Sequence, residues 1–283
     1  MRYHTSVEGI EQINDGVIVR LTDGSQCEVD LLVGADGVHS RVRELVFGPE
    51  HSFFRYLGHH VATYLVTDED LNREVGMRYH AVVVPGLMAG AYALRDDKVA
   101  LLLLRREVDP TLPEDPASAL RRHFGDLDWI IPDVLRSCPQ PPELYYDQVA
   151  QIEMDQWSRG RVVLLGDACG AVSLFAGHGA SMAMAAAWML TDELRRAEGD
   201  LPTALARYQQ RMQPTIAEVQ QLGRRVVKWM APSSRSRIAA LNWIMRLAAI
   251  PGANRLVFRS LSPGSSHTLI PSRPALPEQA SGR

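Results

Sequence analysis

Asp167 follows Gly166 at the carboxyl end of an apolar run, residues 161–165 (RVVLL), and Gly177-His178-Gly179 then opens a stretch poor in bulky side chains. A run without polar alternation predicts a strand covered on both faces. Open α/β sheets bind their ligands just beyond the carboxyl ends of such strands. A carboxylate in that place accepts hydrogen bonds from a sugar or sugar-alcohol hydroxyl. Gly166 lets the backbone turn and lets a ligand come close. Ala180, Ser181, Ala183, Ala185, Ala186 and Ala187 leave room for a flat molecule on the start of a helix, where unpaired N–H groups and the positive dipole end face it. Taken singly, Asp167 also suits a bare turn, and the alanines suit simple helix-to-sheet packing.

The elements that must position these groups follow from the rest of the chain. VIVRL at 17–21 and the turn residues Thr22-Asp23-Gly24-Ser25 predict a hairpin. DLLVG at 30–34 reads as a strand buried on both faces. Ala35-Asp36-Gly37 turns the chain, and Ser40 N-caps a short helix, RVRELVF, ended by Gly48-Pro49. From His51 to Tyr146 the texture becomes that of an antiparallel sheet, with VATYLV, MRYHAVVVP, AGAYAL and KVALLLLRR as strands. A helix is predicted from Asp115 to Phe124 with Pro116 in its first turn. The proline-rich CPQPPEL at 138–144 is expected to be a domain crossover. A long helical region follows the opening stretch, broken at Gly199-Asp200 and at Ala231-Pro232.

Together, DLLVGADGVHSRVRELVFG at 30–48 and GRVVLLGDACGAVSLFAGHGAS at 160–181 resemble the FAD-dependent aromatic hydroxylases, the flavin monooxygenases of the para-hydroxybenzoate hydroxylase type. The first stretch matches the family's DG motif, carried by Asp36, Gly37, Ser40 and Arg43. The second matches its GD motif at Gly166-Asp167. Two motifs in the right order are far more specific than either alone. The resemblance covers roughly residues 1–194. It implies a mixed α/β fold, with a partial Rossmann-like FAD-binding domain, an inserted antiparallel substrate domain and C-terminal helices. The expected limits are 1–50 and 151–200 for the two FAD-binding parts, 51–150 for the substrate domain, 201–262 for the helices and 263–283 for a disordered tail.

By position, the resemblance implies that Asp167 hydrogen-bonds the ribityl hydroxyls of FAD, with Gly166 and Ala168 beside it among the cofactor-binding residues. It implies that backbone N–H groups of Gly177, His178, Gly179, Ala180 and Ser181 face the pyrimidine edge of the flavin ring. Asp36, Gly37 and Arg43 would serve the pyrophosphate region and the approach of NAD(P)H, and Val7 would make backbone contact to adenine. No catalytic side chain and no metal ligand is assigned. The activity implied is NAD(P)H- and O2-dependent hydroxylation of an aromatic or polyketide-like small molecule. Met77, Tyr79, Val83, Pro85 and Met88 are expected to wall the substrate cavity. His178 stands where the family commonly has Gln, and Ser173-Leu174 replaces its proline pair.

The family's opening strand, G-x-G-x-x-G turn and helix have no counterpart here; the string Gly177–Met182 lacks the third glycine and follows a loop. The expectation is an N-terminally truncated monooxygenase with weak FAD retention, exposing an apolar face and a strand edge. The alternative is a split subunit or flavin-deficient remnant, an interaction module whose FAD site a partner chain completes.

Other chemistries fit less well. Gly179-Ala180-Ser181-Met182-Ala183 lacks the final glycine of a nucleophile elbow and the strand directly before its serine. Cys27, Cys138 and Cys169 are odd in number and unpaired in spacing, against a disulfide framework or zinc site and in keeping with a reducing cytoplasm. The net charge of −3 gives no reason to expect nucleic acid. Eight basic and no acidic residues between 223 and 262, with Trp229 and Trp243 interleaved, suit a helix covering the inserted domain better than peripheral membrane contact.

Overall fold

In the computed structural model, which describes residues 1–248, the chain crosses twice between two bodies. The first body begins with a three-stranded antiparallel sheet, β1 (Val7–Gln12), β2 (Val17–Leu21) and β3 (Gln26–Val29), in that order. Its β2–β3 turn is closed by the Gly24 and Leu21 backbones and by Asp23, which accepts from the Ser25 N–H at 2.9 Å. Next come β4 (Leu32–Gly34) and the short helix α1 (Arg41–Phe47). The chain returns to this body at β10 (Ser158–Arg159) and β11 (Val162–Leu164), and β11 pairs in parallel with β4.

Val162, Val163 and Leu164 are wholly buried, because α1, α6 (Gly179–Arg196) and α7 (Leu201–Met230) enclose the strand. β4 departs from the reading of a strand buried on both faces and agrees with the expected open strand edge. It stands at the edge of its sheet, and Val33 is 39% exposed, since no described strand pairs with its other side. Met184 and Trp188 on α6 are also exposed, at 68% and 37%.

The second body is an inserted five-stranded antiparallel sheet in the order β6-β7-β8-β5-β9. Its strands are β5 (Phe54–Thr67), β6 (His80–Val84), β7 (Leu87–Ala93), β8 (Lys98–Arg106) and β9 (Tyr145–Ile152). The helices α2 (Glu69–Val75), α3 (Pro116–Phe124) and α4 (Ile131–Arg136) contribute to the core on one face of it. Asp115 caps α3 by accepting from the Ser118 N–H at 3.0 Å, and Pro116 takes the first turn, where no N–H is needed. The proline segment 138–144 is not a crossover. It leads into β9, which still pairs with β5, so the crossover follows Ile152.

Helix α7 ties the two bodies together. Its first half packs on β11 and α6, and the Tyr208 hydroxyl donates to the Leu164 carbonyl at 3.2 Å. Further along, Gln220 and Gln151, both buried, bridge elements reciprocally. Gln220 Nε2 donates to the carbonyls of Ile152 and Ala171, and Gln151 Nε2 to those of Gln220 and Val172. Val227 and Ala231 then join Val61, Leu104 and Val149 of the inserted sheet. The apolar stripe of α7 is thus used in covering the sheet, while Arg225 and Lys228 face water. A last helix, α8 (Arg235–Ala248), follows. Among the described residues no helix is long and apolar enough to cross a membrane. Arg255, Arg259 and the tail 263–283 lie outside the described residues.

Candidate functional site

The carboxyl end of β11 delivers the chain to Gly166, whose φ of +64° is a conformation that only glycine adopts without strain. Asp167 begins a single helical turn, α5 (Asp167–Gly170). The carboxylate has no hydrogen-bond or ion partner among the described residues. The residue remains solvent-exposed, yet partial desolvation by the surrounding protein raises its pKa above the ordinary 3.8, because no partner offsets the charge.

That cavity has a volume of about 500 Å3. One wall is Asp167, Ser173, Leu174, Gly177, Gly179 and Ala180; the facing wall is Val61 and Thr63 of β5 with Tyr145, Asp147 and Val149 of β9. Gly177 is left-handed at φ +69°, with open space where a side chain would project. Helix α6 starts without a side-chain cap. Its first intrahelical bond of this turn is Met182 N–H to the His178 carbonyl, so the N–H groups of Gly179, Ala180 and Ser181 have no acceptor in the helix.

His178 is held locally, its Nδ1 against the Ala176 carbonyl. The Ser181 hydroxyl donates to the His178 carbonyl at 2.9 Å and is not engaged by any imidazole, so it is not an activated nucleophile. Cys169 is buried, and burial pushes its thiol up to about 12, which leaves it inert.

The DG motif is assembled around α1. Asp36 accepts from the Ser40 hydroxyl at 2.5 Å and the Val42 N–H at 3.0 Å, and Ser40 Oγ accepts from the Arg43 N–H at 2.9 Å. Gly37 turns at φ +82°. Arg43 is 0% exposed. Its guanidinium donates to the carbonyls of Ala168 at 3.0 Å and Val38 at 2.6 Å, and to Glu50 at 2.9 Å. The side chain therefore faces the protein, beneath the GD turn, and is not among the residues lining this cavity. Val7 lies in β1, opposite Leu21, and is not among the lining residues.

One sequence expectation fails on sheet order. Met77, Tyr79, Val83, Pro85 and Met88 belong to the β6–β7 end of the sheet and do not line the cavity. Met88 is buried with Val61, Leu104 and Val227, beneath the end of α7, while Met77 is fully exposed. The wall comes instead from β5 and β9, the strands nearest the crossover.

A charged chain that sequence reading missed runs behind this wall. Tyr145 donates to Asp147 Oδ2 at 2.9 Å. His39 places Nε2 3.2 Å from the same oxygen and Nδ1 3.0 Å from Glu50, and Phe54 stacks on its ring. Burial lowers the His39 pKa, but the hydrogen bonds to Glu50 and Asp147 outweigh it and the net shift is upward. For Tyr145, burial and the two carboxylates of Asp147 and Asp167 all push the phenol pKa up, so it stays protonated.

A second cavity of about 540 Å3 shares no lining residue with the first. Three of its charged groups are matched to one another: Arg55 bonds both oxygens of Glu153 at 3.0 Å, and Arg224 bonds Glu153 at 2.8 Å and Gln151 at 2.7 Å.

No protein-family model matches the chain. Over 211 residues it is 35% identical to the uncharacterized protein Rv1260 of Mycobacterium tuberculosis, covering 73% of this chain and 56% of that protein. A flavin-dependent monooxygenase from an unknown prokaryote is 30% identical over 78% of this chain and 58% of its own length. The chain thus spans little more than half of these curated relatives. Among solved structures, the tetracycline destructase Tet(51) superposes with a TM-score of 0.73 at 26% identity, over 86% of this chain and 66% of that one. Klebsiella pneumoniae HpxO, solved with FAD and uric acid, gives a TM-score of 0.71 at 24% identity over 91% and 65%, which shows the shared fold.

Proposed function

The chain belongs, over the span it covers, to the FAD-dependent aromatic hydroxylase type of flavin monooxygenase, and from that premise we propose that it forms the ring- and ribityl-binding part of such an enzyme. The observation that carries the reading is Asp167: an unpartnered carboxylate at a strand end, on a cavity shared with an uncapped helix start. The residues fit a flavin. Gly166 and Gly177 supply the left-handed turns, and neither they nor Gly179 puts a side chain where the group would lie.

In this reading Asp167 accepts from ribityl hydroxyls, and the N–H groups of Gly179, Ala180 and Ser181 face the pyrimidine edge of the ring, where they favour negative charge without reorganising. Bound FAD supplies the redox chemistry, reduction by NAD(P)H and reaction with O2. The chain's part is to hold the ring, to align a substrate against it from β5 and β9, and to keep water from the site with Val61, Val149 and Leu174. Arg43 acts as a positioning residue that fixes the GD turn.

A second reading rests on the open side of β4 together with exposed Met184 and Trp188. Here the chain is a split subunit whose sheet a partner strand completes, bringing a phosphate-binding turn with it.

Titration of the purified chain with riboflavin and FAD, followed by the visible spectrum after desalting, tests both. Saturable binding of the two flavins within a few-fold of each other, weakened at least ten-fold in Asp167→Ala, is the expected result. The near-equality follows because the described residues grip the ring and ribityl chain, not the pyrophosphate. No binding of either flavin overturns the first reading and leaves the split subunit as the account.

A further inference from the structure

The same cavity carries information about the molecule that shares it with the flavin. Two carboxylates, Asp147 and Asp167, line it, and no Arg, Lys or His is among its lining residues. Asp147 is the more enclosed part of its pair, its side chain 13% exposed against 53% for His39. It is held from behind by His39 and from the side by Tyr145.

The hydrogen-bonding roles on this wall are already assigned. The Tyr145 proton is committed to Asp147, so its oxygen has only lone pairs left to offer. The Thr63 hydroxyl donates to the Leu101 carbonyl at 2.7 Å and is likewise left as an acceptor. Asp147 keeps acceptor capacity, since an ionised carboxylate has about four lone-pair sites and three are accounted for by Tyr145, His39 and the Gln148 N–H. Gln148 Nε2 on the same strand donates to the Pro110 carbonyl, so the β5–β9 wall is rich in acceptors, and the Ser173 hydroxyl on the opposite wall is a side-chain donor.

We propose that the substrate is a ring bearing hydroxyl or amino donors and no carboxylate, recognised by Asp147 with Tyr145 and Thr63 as neighbouring acceptors. The inference rests on the flavin-site reading and adds the substrate class to it. A donor-bearing ring satisfies three groups that a purely apolar ligand would strip of water and leave unpaired, a cost of the kind that gives strong discrimination. A carboxylated ring brings a negative charge beside two others in a site of reduced dielectric, which is repulsive. His39 lies behind Asp147 rather than in the cavity, so it balances Asp147 without offering a cation to the ligand. Its role is positioning: it fixes the carboxylate that touches the substrate.

The matched probes 3,4-dihydroxybenzyl alcohol and 3,4-dihydroxybenzoate separate these cases. Their binding is followed by calorimetry and ligand-observed NMR on the full chain, with and without added FAD. The alcohol is expected to bind at least ten-fold more tightly than the carboxylate. In Asp147→Asn, which removes the charge, that preference is expected to collapse. Tyr145→Phe, at a partly exposed strand end, is expected to weaken the alcohol a few-fold while leaving the carboxylate excluded. It serves if the Asp147 variant does not fold. Equal or tighter binding of the carboxylate, a preference unchanged in Asp147→Asn, or binding of neither ring overturns the proposal. The visible spectrum of the same samples reports flavin retention separately, so loss of ring preference with flavin retained rejects the substrate class and not the flavin site.

Discussion

Arg43 Nη1 donates to the carbonyl of Ala168 at 3.0 Å, joining the DG motif to the residue after Asp167 across 125 positions of sequence. The same guanidinium holds Val38 and Glu50, so one wholly buried cation sets the distance between the two motifs. Arg43→Ala should leave two carbonyls and a half-buried carboxylate without their donor, at a cost of about 3 kcal/mol. Urea denaturation of the two proteins measures it. A loss below the error of the method would show that the guanidinium does not organise the turn.

Asp167→Asn should make the unliganded chain more stable and a poorer flavin binder. The folded-state pKa of Asp167 is raised by partial desolvation above 3.8, so the folded chain binds the proton more tightly than the unfolded chain. Stability then falls as pH rises from 3.8 through the raised value, and at neutral pH the ionised carboxylate is a standing cost. The amide carries no such cost. A higher thermal midpoint at neutral pH with weaker flavin binding is the expected pair of changes, the trade-off that marks a residue kept for function.

The His39 pairings predict a pH dependence of the same sense in a higher pH window. A histidine whose folded-state pKa lies above its ordinary 6.5 contributes stability that is full below 6.5 and is lost as pH rises through the folded value. His39 is half exposed, so its share is about 1 kcal/mol or less. Thermal midpoints of the wild type and His39→Gln should differ most in mildly acidic buffer and converge in mildly alkaline buffer. A gap that stays constant with pH would assign the effect to packing against Phe54.

Gly223 lies where α7 passes closest to the loop behind the cavity. A Cβ there would meet the Val172 carbonyl at 2.7 Å and Gln151 Nε2 at 3.2 Å, the two partners of a buried hydrogen bond. Alanine improves helix propensity by about 0.8–1 kcal/mol, but overpacking costs about 1–3 kcal/mol. Gly223→Ala should therefore be neutral to destabilising and should shift the Gln151 side-chain amide resonances. A clear rise in thermal midpoint would mean that the loop yields freely.

The motifs were legible in the sequence because each is a local event. The hairpin at Thr22–Ser25, the cap at Ser40 and the helix opening at Gly179 are written in turn and cap residues within a few positions of one another. What escaped was what depends on strand order. Nothing local says that β9 returns beside β5, and so nothing names Tyr145 and Asp147 as cavity wall in place of Tyr79 and Met88. His39 and Asp147 are 108 positions apart, and either alone reads as surface charge. Arg43 was seen as a motif residue, but an arginine carries no sign in sequence that its charge will be wholly buried. Val33 was misjudged for a related reason: an apolar run tells that a strand can be covered, not whether a covering partner is among the described residues.

The pairing of Phe54 with Ile152 bears on the order in which the chain assembles. Parallel pairing of β4 with β11, and the Arg43–Ala168 bond, require chain ends far apart in sequence to meet, and such closures slow folding because their entropy is lost before the contacts form. The inserted sheet removes most of that separation. Once β5 and β9 zip together, its first and last residues stand side by side, and the polypeptide between the DG and GD motifs behaves as a tether of only the few residues that flank them. The insertion should thus act as a clamp on the path to the native state, with the β4–β11 pairing expected to form after the inserted sheet.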